Sequence, residues 1–339
     1  MLVCTARTGG ENCAPISSNV LGENNLSTQT SAAHRPSKNQ LGRRSGGLRF
    51  GIKLTVYLGL VVGGIALALS DATGLRWTGV LLLGAMFAHG VELQHQVLHS
   101  QGFAHPRFNE WVGMLLGLPM LVSYASYQAS HMRHHRLLGT PADKEYFDYG
   151  GSDAVGTAHP LARVALWSRC LLMPAHYAGF ARQAWNALRG RPVEGETDAV
   201  SRRIRRDHLF MLAMLAMALA ASALWRPSAF LLAWLIPLLC VATPVHALIE
   251  LPEHHGCDRS STDVLRNTRT IRSNAFMTWF TNGNNFHVEH HLRPACPIDR
   301  LSRVHAEHVH RLPHFYRGYM AFYGDLLRGR IGAAVGSAA

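Results

Sequence analysis

Charge is scarce in this sequence. Only 16% of its 339 residues are Asp, Glu, Lys or Arg, against about 25% in an average soluble chain. So little charge in so long a chain, with 48% hydrophobic residues, excludes an ordinary soluble domain and points to a membrane protein. Paired cysteines are missing as well. Cys4, Cys13, Cys170, Cys240, Cys257 and Cys296 are scattered without a C-x-x-C spacing. That argues against zinc ribbons and disulfide frameworks and fits free thiols in a reducing compartment. No basic start leads into an apolar h-region, so no cleavable signal peptide is expected. No basic stripe is interleaved with aromatics, so the net charge of +12 does not imply nucleic acid as a partner.

Long apolar runs are present. Residues 52–70, 75–99, 208–225 and 228–251 each supply the roughly 20 residues that a spanning helix needs. Short connectors, DATGL and RPS, turn them into two hairpins. Pro237 and Pro244 predict kinks in the fourth run. The stretch 111–124, broken by Pro119, is too short to span and reads as re-entrant or membrane-edge. Residues 161–182, with Arg163, Arg169 and Arg182 among apolar residues, read as one interfacial amphipathic helix. The expected architecture is an all-α integral membrane protein with two transmembrane hairpins, four spans in all, and a histidine-rich helical cap. A flexible tail, rich in Ser, Asn, Thr and Gly, covers 1–48. The membrane domain covers 49–325, and a second tail covers 326–339.

All but Arg76 and Arg226 of the 33 Lys and Arg fall in 1–53, 100–207 and 252–339. Cytoplasmic loops carry the Lys/Arg excess, so these segments, both termini and the cap are expected on the cytoplasmic side of the cell inner membrane. The basic residues there would also meet anionic lipid headgroups.

Histidine is abundant, with 21 residues. HQVLH supplies His95 and His99, HMRHH supplies His131, His134 and His135, and HVEHH supplies His287, His290 and His291. On a helix, residues three and four apart share a face. All three boxes also fall on the same side of the expected spans. Eight imidazoles can therefore converge at the membrane boundary. Imidazole suits Zn, Cu, Fe and Ni. Eight ligands exceed the four of one tetrahedral zinc, which makes two metals the natural count. A soluble-type di-iron carboxylate bundle needs Glu-x-x-His on two helices. Glu92–His95 and Glu307–His310 match that spacing, but eight clustered histidines would be left unexplained.

HxxxH, HxxHH and HxxHH in this order around two membrane hairpins resemble the membrane fatty acid desaturase/hydroxylase superfamily. The resemblance covers roughly residues 50–320. GTPADKEY after the second box, NTRTIRSN at 267–274 and NNFHVEHHLRP are similar to its bacterial desaturase branch. It implies a di-iron centre on the histidine boxes, O2 and two electrons. It also implies a further ligand between the fourth span and the third box. In ELPEHHG, 250–256, His254 fits that position, while Glu250 stands where the family pattern has Asn. Whether Glu250 binds iron, holds a water or orients His254 is open at this point. His255 is a weaker ligand candidate, and His246 is expected to line the site or pack.

Glu92, Asp143, Glu145, Glu250, Asn285 and Glu289 are expected behind the ligands, tuning them; Asn284 and Asn285 could equally bind water or cap a helix. His89 shares a helix face with His95 and His99 and is a candidate for the wall of a substrate passage or for a hydrogen bond within the bundle. His305, His308, His310 and His314 read as a solvated or headgroup-facing surface. The sequence has no HPGG haem signature, no flavin or nucleotide glycine fingerprint and no iron–sulfur cysteine set. Electrons therefore need an external donor such as a ferredoxin, steered by the basic face with Arg202, Arg203, Arg205 and Arg206 as contacts.

The activity this implies is a desaturase that places a C=C bond in an acyl or related aliphatic chain. Hydroxylases and carotenoid-type oxygenases are the neighbouring activities in the superfamily. Its members also act on small specialised metabolites such as dihydrorhizobitoxine, an amino-acid ether. From a different class, a histidine-rich metal transporter would place its polar site near the bilayer midplane, whereas these boxes gather at one edge.

Overall fold

The computed structural model describes residues 38–143, 160–258 and 260–331. Glu145 and residues 1–37 and 332–339 of the expected tails lie outside them. Helix α1 (Lys38–Ala68) and helix α2 (Thr73–Leu98) form the first hairpin. Gly79 lets the two backbones touch, because a Cβ there would lie 2.2 Å from the Ala68 nitrogen. Membrane helices pack through such small residues, since lipid provides no hydrophobic force between them. α1 starts at Lys38, upstream of the boundary expected at residue 48. Lys, Gln, Leu and Arg in this stretch are good helix formers, and a helix already nucleated propagates at little cost.

Helix α3 (Pro106–Gly117) and a 3-10 turn over Leu118–Met120 make the short membrane-edge segment. Helix α4 (Tyr124–Leu137) follows, and the Ser123 hydroxyl caps it by accepting from the Ser126 amide. The buried Asp207 carboxylate fastens the same end, accepting from the Ala125 amide at 2.8 Å and the Ser123 hydroxyl at 3.1 Å.

The single amphipathic helix expected over 161–182 is two helices, α5 (Pro160–Leu172) and α6 (Pro174–Leu188). Pro174 has no amide hydrogen to continue the ladder and disfavours a helical residue before it. Met173 accordingly sits in the left-handed region at φ 45°.

Helix α7 (Asp198–Trp225) takes the RRIRR stretch into its first turns. The helix after it widens into π turns over Leu231–Leu235 and Pro237–Ala242 and returns to α geometry in α8 (Thr243–His254). Pro237 leaves a carbonyl unmatched, and π turns and kinks arise at such places. The Thr243 hydroxyl caps the opened ladder by donating to the Leu238 carbonyl at 2.7 Å.

Among the described residues, three helices are long and apolar enough to cross a membrane: Gly47–Ala68, Asp198–Trp225 and Leu231–His254. In the first two, only 17% of the apolar window is buried, the outward-facing pattern of helices bathed in lipid. α2 differs. From Gly79 onward nearly every residue is buried, including His89, Glu92, Gln94, His95 and Gln96. It is the central helix, and its polar residues face neighbouring helices.

After α8 come α9 (Val264–Asn267), β1 (Thr270–Ile271), α10 (Ala275–Phe280), α11 (His287–Leu292), α12 (Leu301–His308), β2 (Phe315–Tyr316) and α13 (Tyr319–Leu327). Among the described residues, the mostly helical chain includes one small parallel ladder, with Thr270 opposite Phe315 and Ile271 opposite Tyr316. The tail boundary expected at 325/326 falls inside α13, where Leu326 and Phe322 are fully buried beside Ala247 and Leu251 of α8.

Candidate metal centre

The three boxes sit on α2, α4 and α11, which pack together at one end of α2. His95, His99, His131 and His290 bring one ring nitrogen each within 4.8 Å of one another; His134, His254, His287 and His291 form a second such group. His135 joins the first, with Nε2 3.0 Å from the Nε2 atoms of both His131 and His290. All nine histidines expected as ligands are therefore gathered in one place.

The tautomers are fixed from behind. His95 Nδ1 donates to Asn284 Oδ1 at 2.7 Å. His134 Nδ1 donates to Asp143 Oδ2 at 2.8 Å, and His254 Nδ1 to the Asn267 carbonyl at 2.9 Å. Each partner atom is an acceptor only, so each Nδ1 carries the proton and each Nε2 presents a lone pair. Nε2 of His134 and His254 nevertheless face each other at 3.3 Å. Two lone pairs in that arrangement repel unless a cation lies between them. The other inward nitrogens approach just as closely: His95–His131 at 2.8 Å, His254–His287 at 3.1 Å and His287–His291 at 3.1 Å. Nitrogens about 3.0–3.4 Å apart are the edges of a coordination polyhedron with metal–nitrogen bonds of about 2.1 Å. The donor set fits metal ions.

Burial completes the picture. His131, His287, His290 and His291 are pushed well below the ordinary histidine pKa, first by burial and then by neighbouring imidazoles. Burial brings His135 down to about 3. Neutral imidazole is the form that ligates. A cavity of about 20 Å³ lies among His95, His131, His134, His254 and His287, room for one small molecule such as water.

The residues expected behind the ligands divide into several roles. Asp143 touches His134. Glu92 reaches the first box through Asn284, whose Nδ2 donates to Glu92 Oε2 at 2.6 Å. Asn284 therefore orients the first box, across the site from its own third box. Asn285 bonds to the Ile271 carbonyl and the Thr281 hydroxyl and so anchors the loop leading into α11. Glu289 points away from the ligands, accepting from the Thr270 hydroxyl at 2.6 Å and from His305 Nδ1 at 2.7 Å. His305 is thus a buried residue, contrary to the surface reading of its sequence neighbourhood. Glu250 and Glu92 lie with His246 as a buried acid–imidazole group, while His254 takes its orientation from Asn267.

A further carboxylate, Glu253, reaches the second group, with Oε2 3.2 Å from His287 Nε2. Its only signal in the sequence is adjacency to His254. His255 contributes its carbonyl, which accepts from Arg269 at 2.6 Å. His89 bonds through Nδ1 to the Phe280 carbonyl at 2.7 Å and packs on Trp279. It lines neither the small cavity nor the larger one described below. The NTRTIRSN stretch is a scaffold. Asn267 holds His254, Arg269 clamps the last carbonyls of α8, Thr270 holds Glu289, and Asn274 caps α10. Of the arginines considered for donor docking, Arg203 and Arg206 are engaged by Glu110, and Arg205 by the Ala187 carbonyl. Arg202 remains exposed.

A second cavity of about 500 Å³ lies between α4, α6, α7 and α8. Tyr127 and Glu250 border both cavities, so the large one adjoins the histidine cluster.

The fatty acid desaturase family model matches residues 73–323, from the start of α2 into α13. This chain belongs to the fatty acid desaturase family. Membership of that family favours an oxidoreductase over the metal-transporter reading. Among similar proteins, a dihydrorhizobitoxine desaturase of Bradyrhizobium elkanii is 24% identical over 66% of this chain and 65% of its own length. A sphingolipid delta(4)-desaturase/C4-monooxygenase of Homo sapiens is 26% identical over 71% of this chain and 70% of its own length. An acyl-lipid (9-3)-desaturase of Physcomitrium patens is 25% identical over 62% of this chain but only 43% of its own length.

Proposed function

We propose that this chain is a di-iron, O2-dependent membrane desaturase that introduces a C=C bond into an acyl or related aliphatic chain. The observation that carries the proposal is the pair of four-histidine groups, with Nε2 lone pairs turned toward one another. Two iron ions held there would supply the oxidising power to take two hydrogens from adjacent carbons, a step beyond acid–base chemistry. The balance is R–CH2–CH2–R′ + O2 + 2e⁻ + 2H⁺ → R–CH=CH–R′ + 2H2O. The two electrons come from an external donor such as a ferredoxin, docking on the basic cytoplasmic face.

The nine ligands are His95, His99, His131, His134, His135, His254, His287, His290 and His291. Asn284, Asp143 and the Asn267 carbonyl keep the Nδ1 protons and leave Nε2 free. The large cavity holds the substrate and presents it past Tyr127 and Glu250. In the membrane, α2 completes a set of four spans in two hairpins. The histidine end, with the chain termini, faces the cytoplasm of the inner membrane.

The names of the relatives favour two variations. The human protein's name joins desaturase and monooxygenase, which keeps hydroxylation as a second outcome. The Bradyrhizobium protein's name supports a small specialised metabolite, of the amino-acid ether kind, as substrate.

The test is metal analysis joined to product analysis. Purified protein should carry two irons per chain, and membranes with O2 and a donor should form an alkene. His290→Ala should lose iron and turnover together. Full activity in that variant would sink the ligand assignment, and a hydroxylated product without an alkene would sink desaturation.

A further inference from the structure

Glu92, His246 and Glu250 form a cluster one helical turn away from His95 and His254. His246 and Glu250 stand four apart on α8 and so share a face, and Glu92 meets them from α2. One atom of each that can bind a metal lies within 4.8 Å of the others. The side chains of Glu92 and His246 are only 1% and 7% exposed. Ionisable groups inside a span are costly and mark functional sites.

The hydrogen bonds of this cluster do not close. Glu92 Oε2 accepts from Asn284, but Glu92 Oε1 and His246 Nδ1 are buried with no hydrogen-bond partner among the described residues. Burying a polar atom unmatched is expensive. These two atoms point at each other across 4.0 Å, and Glu250 Oε1 is also 4.0 Å from His246 Nδ1. Both gaps exceed hydrogen-bond reach. A proton shared between the two carboxylates would remove one charge, yet His246 Nδ1 would stay unmatched.

A metal ion resolves both problems. One atom set among three donors at these spacings lies about 2.3 Å from each, close to the roughly 2.0–2.2 Å of metal bonds to imidazole and carboxylate. Buried charges are paired or bind metals. Among the described residues, no Lys or Arg forms an ion pair with Glu92, whose one such partner is His246. A divalent cation would offset the two carboxylates.

We propose that Glu92, His246 and Glu250 bind a divalent cation of the Mn2+ or Zn2+ kind, separate from any metal held by the histidine cluster. Carboxylate suits Mn2+ and imidazole suits Zn2+, so the mixed set admits either. The ion would tie α2 to α8. Three protein ligands leave a coordination position open, and His246 and Glu250 line the large cavity, which gives that position access to it. This site stands on its own residues and does not depend on the desaturase reading.

The test uses the full chain in nanodiscs, loaded with iron and dialysed against Mn2+. Metals are counted by mass spectrometry, and loss of the free-ion EPR signal follows Mn2+ uptake. Wild-type protein should take up one Mn2+ per chain beyond its iron. His246→Leu should weaken that uptake by about tenfold or more while iron stays at the wild-type level. Glu250→Gln, which keeps the shape and removes the charge, should weaken it likewise and covers the case of a leucine variant that fails to fold. Wild-type protein that takes up no Mn2+ beyond its iron overturns the proposal; the cluster would then hold a proton and water. Unchanged uptake in both variants overturns it as well. So does a folded His246→Leu protein that loses iron together with Mn2+, because His246 would then serve the histidine cluster. Protein that binds Mn2+ through these residues but carries no iron leaves this site standing and removes the di-iron reading.

Discussion

At the scale of single residues, the centre is defined by what stands behind each imidazole. Asn284 is the decisive case. Its Oδ1 holds the His95 proton while its Nδ2 holds Glu92. Asn284→Leu should lower iron affinity by about 10–100-fold, the usual cost of losing such a partner, and Asn284→Asp should recover part of it by keeping the acceptor. Iron retention during dialysis against a chelator measures both; unchanged retention in the leucine variant would remove Asn284 from the site. The histidines also set a pH dependence in the metal-free protein. Burial holds His135 at about 3, whereas the unfolded chain titrates at about 6.5. Between those values the unfolded state binds more protons, so stability falls as pH drops from about 6.5 toward 3. Denaturant midpoints of metal-free protein at pH 7.5, 6, 5 and 4 should decrease in that order. A rise on acidification would mean that the imidazoles are charged in the fold.

At the scale of elements, close backbone approach decides which substitutions the bundle tolerates. Gly79 faces Ala68 and Gly64 across the first hairpin with no room for a methyl group, while Gly59 faces open space. Gly79→Ala should force α1 and α2 apart and cost about 1–3 kcal/mol, the usual penalty of overpacking. Gly59→Ala should be neutral or stabilise by up to about 1 kcal/mol through helix propensity. Thermal unfolding in detergent, followed by size exclusion, compares the pair; equal midpoints would contradict the packing of this hairpin. Elements also explain why parts of the sequence reading failed. Four apolar runs were legible because hydropathy is a property of consecutive residues. The break at Met173–Pro174 fell inside a run of mixed character, where proline chemistry outweighed amphipathic periodicity. The two-residue ladder of β1 and β2 has no sequence signature, because each strand is too short to show alternation.

At the scale of the whole molecule, the two hairpin connectors meet. Arg226, in the second connector, pairs with Asp71 at 3.0 Å and with the Leu69 carbonyl, both at the end of the first hairpin. Both connectors therefore occupy the same end of the molecule, opposite the histidine end of α2. This arrangement agrees with the Lys/Arg asymmetry and makes a topological prediction. In intact cells, Asp71→Cys should react with a membrane-impermeant maleimide from outside, and Arg191→Cys should react only after lysis. Labelling of both from the same side would overturn the four-span arrangement.

The sequence by itself marked out the histidine boxes and the apolar runs. HQVLH, HMRHH and HVEHH place imidazoles on single helix faces, and apolar runs with skewed charge give the expectation that those faces lie at one membrane edge. These are local periodicities, readable within a few turns of chain. Only the tertiary structure decided how the imidazoles sort into two groups, that Asn284 serves a histidine 189 residues away, and that Glu289 is held by His305 while Glu253 reaches His287. Only it showed that a larger cavity adjoins the site. Those features arise where distant segments meet, and hydrogen-bond partners across such distances depend on packing that no local pattern encodes.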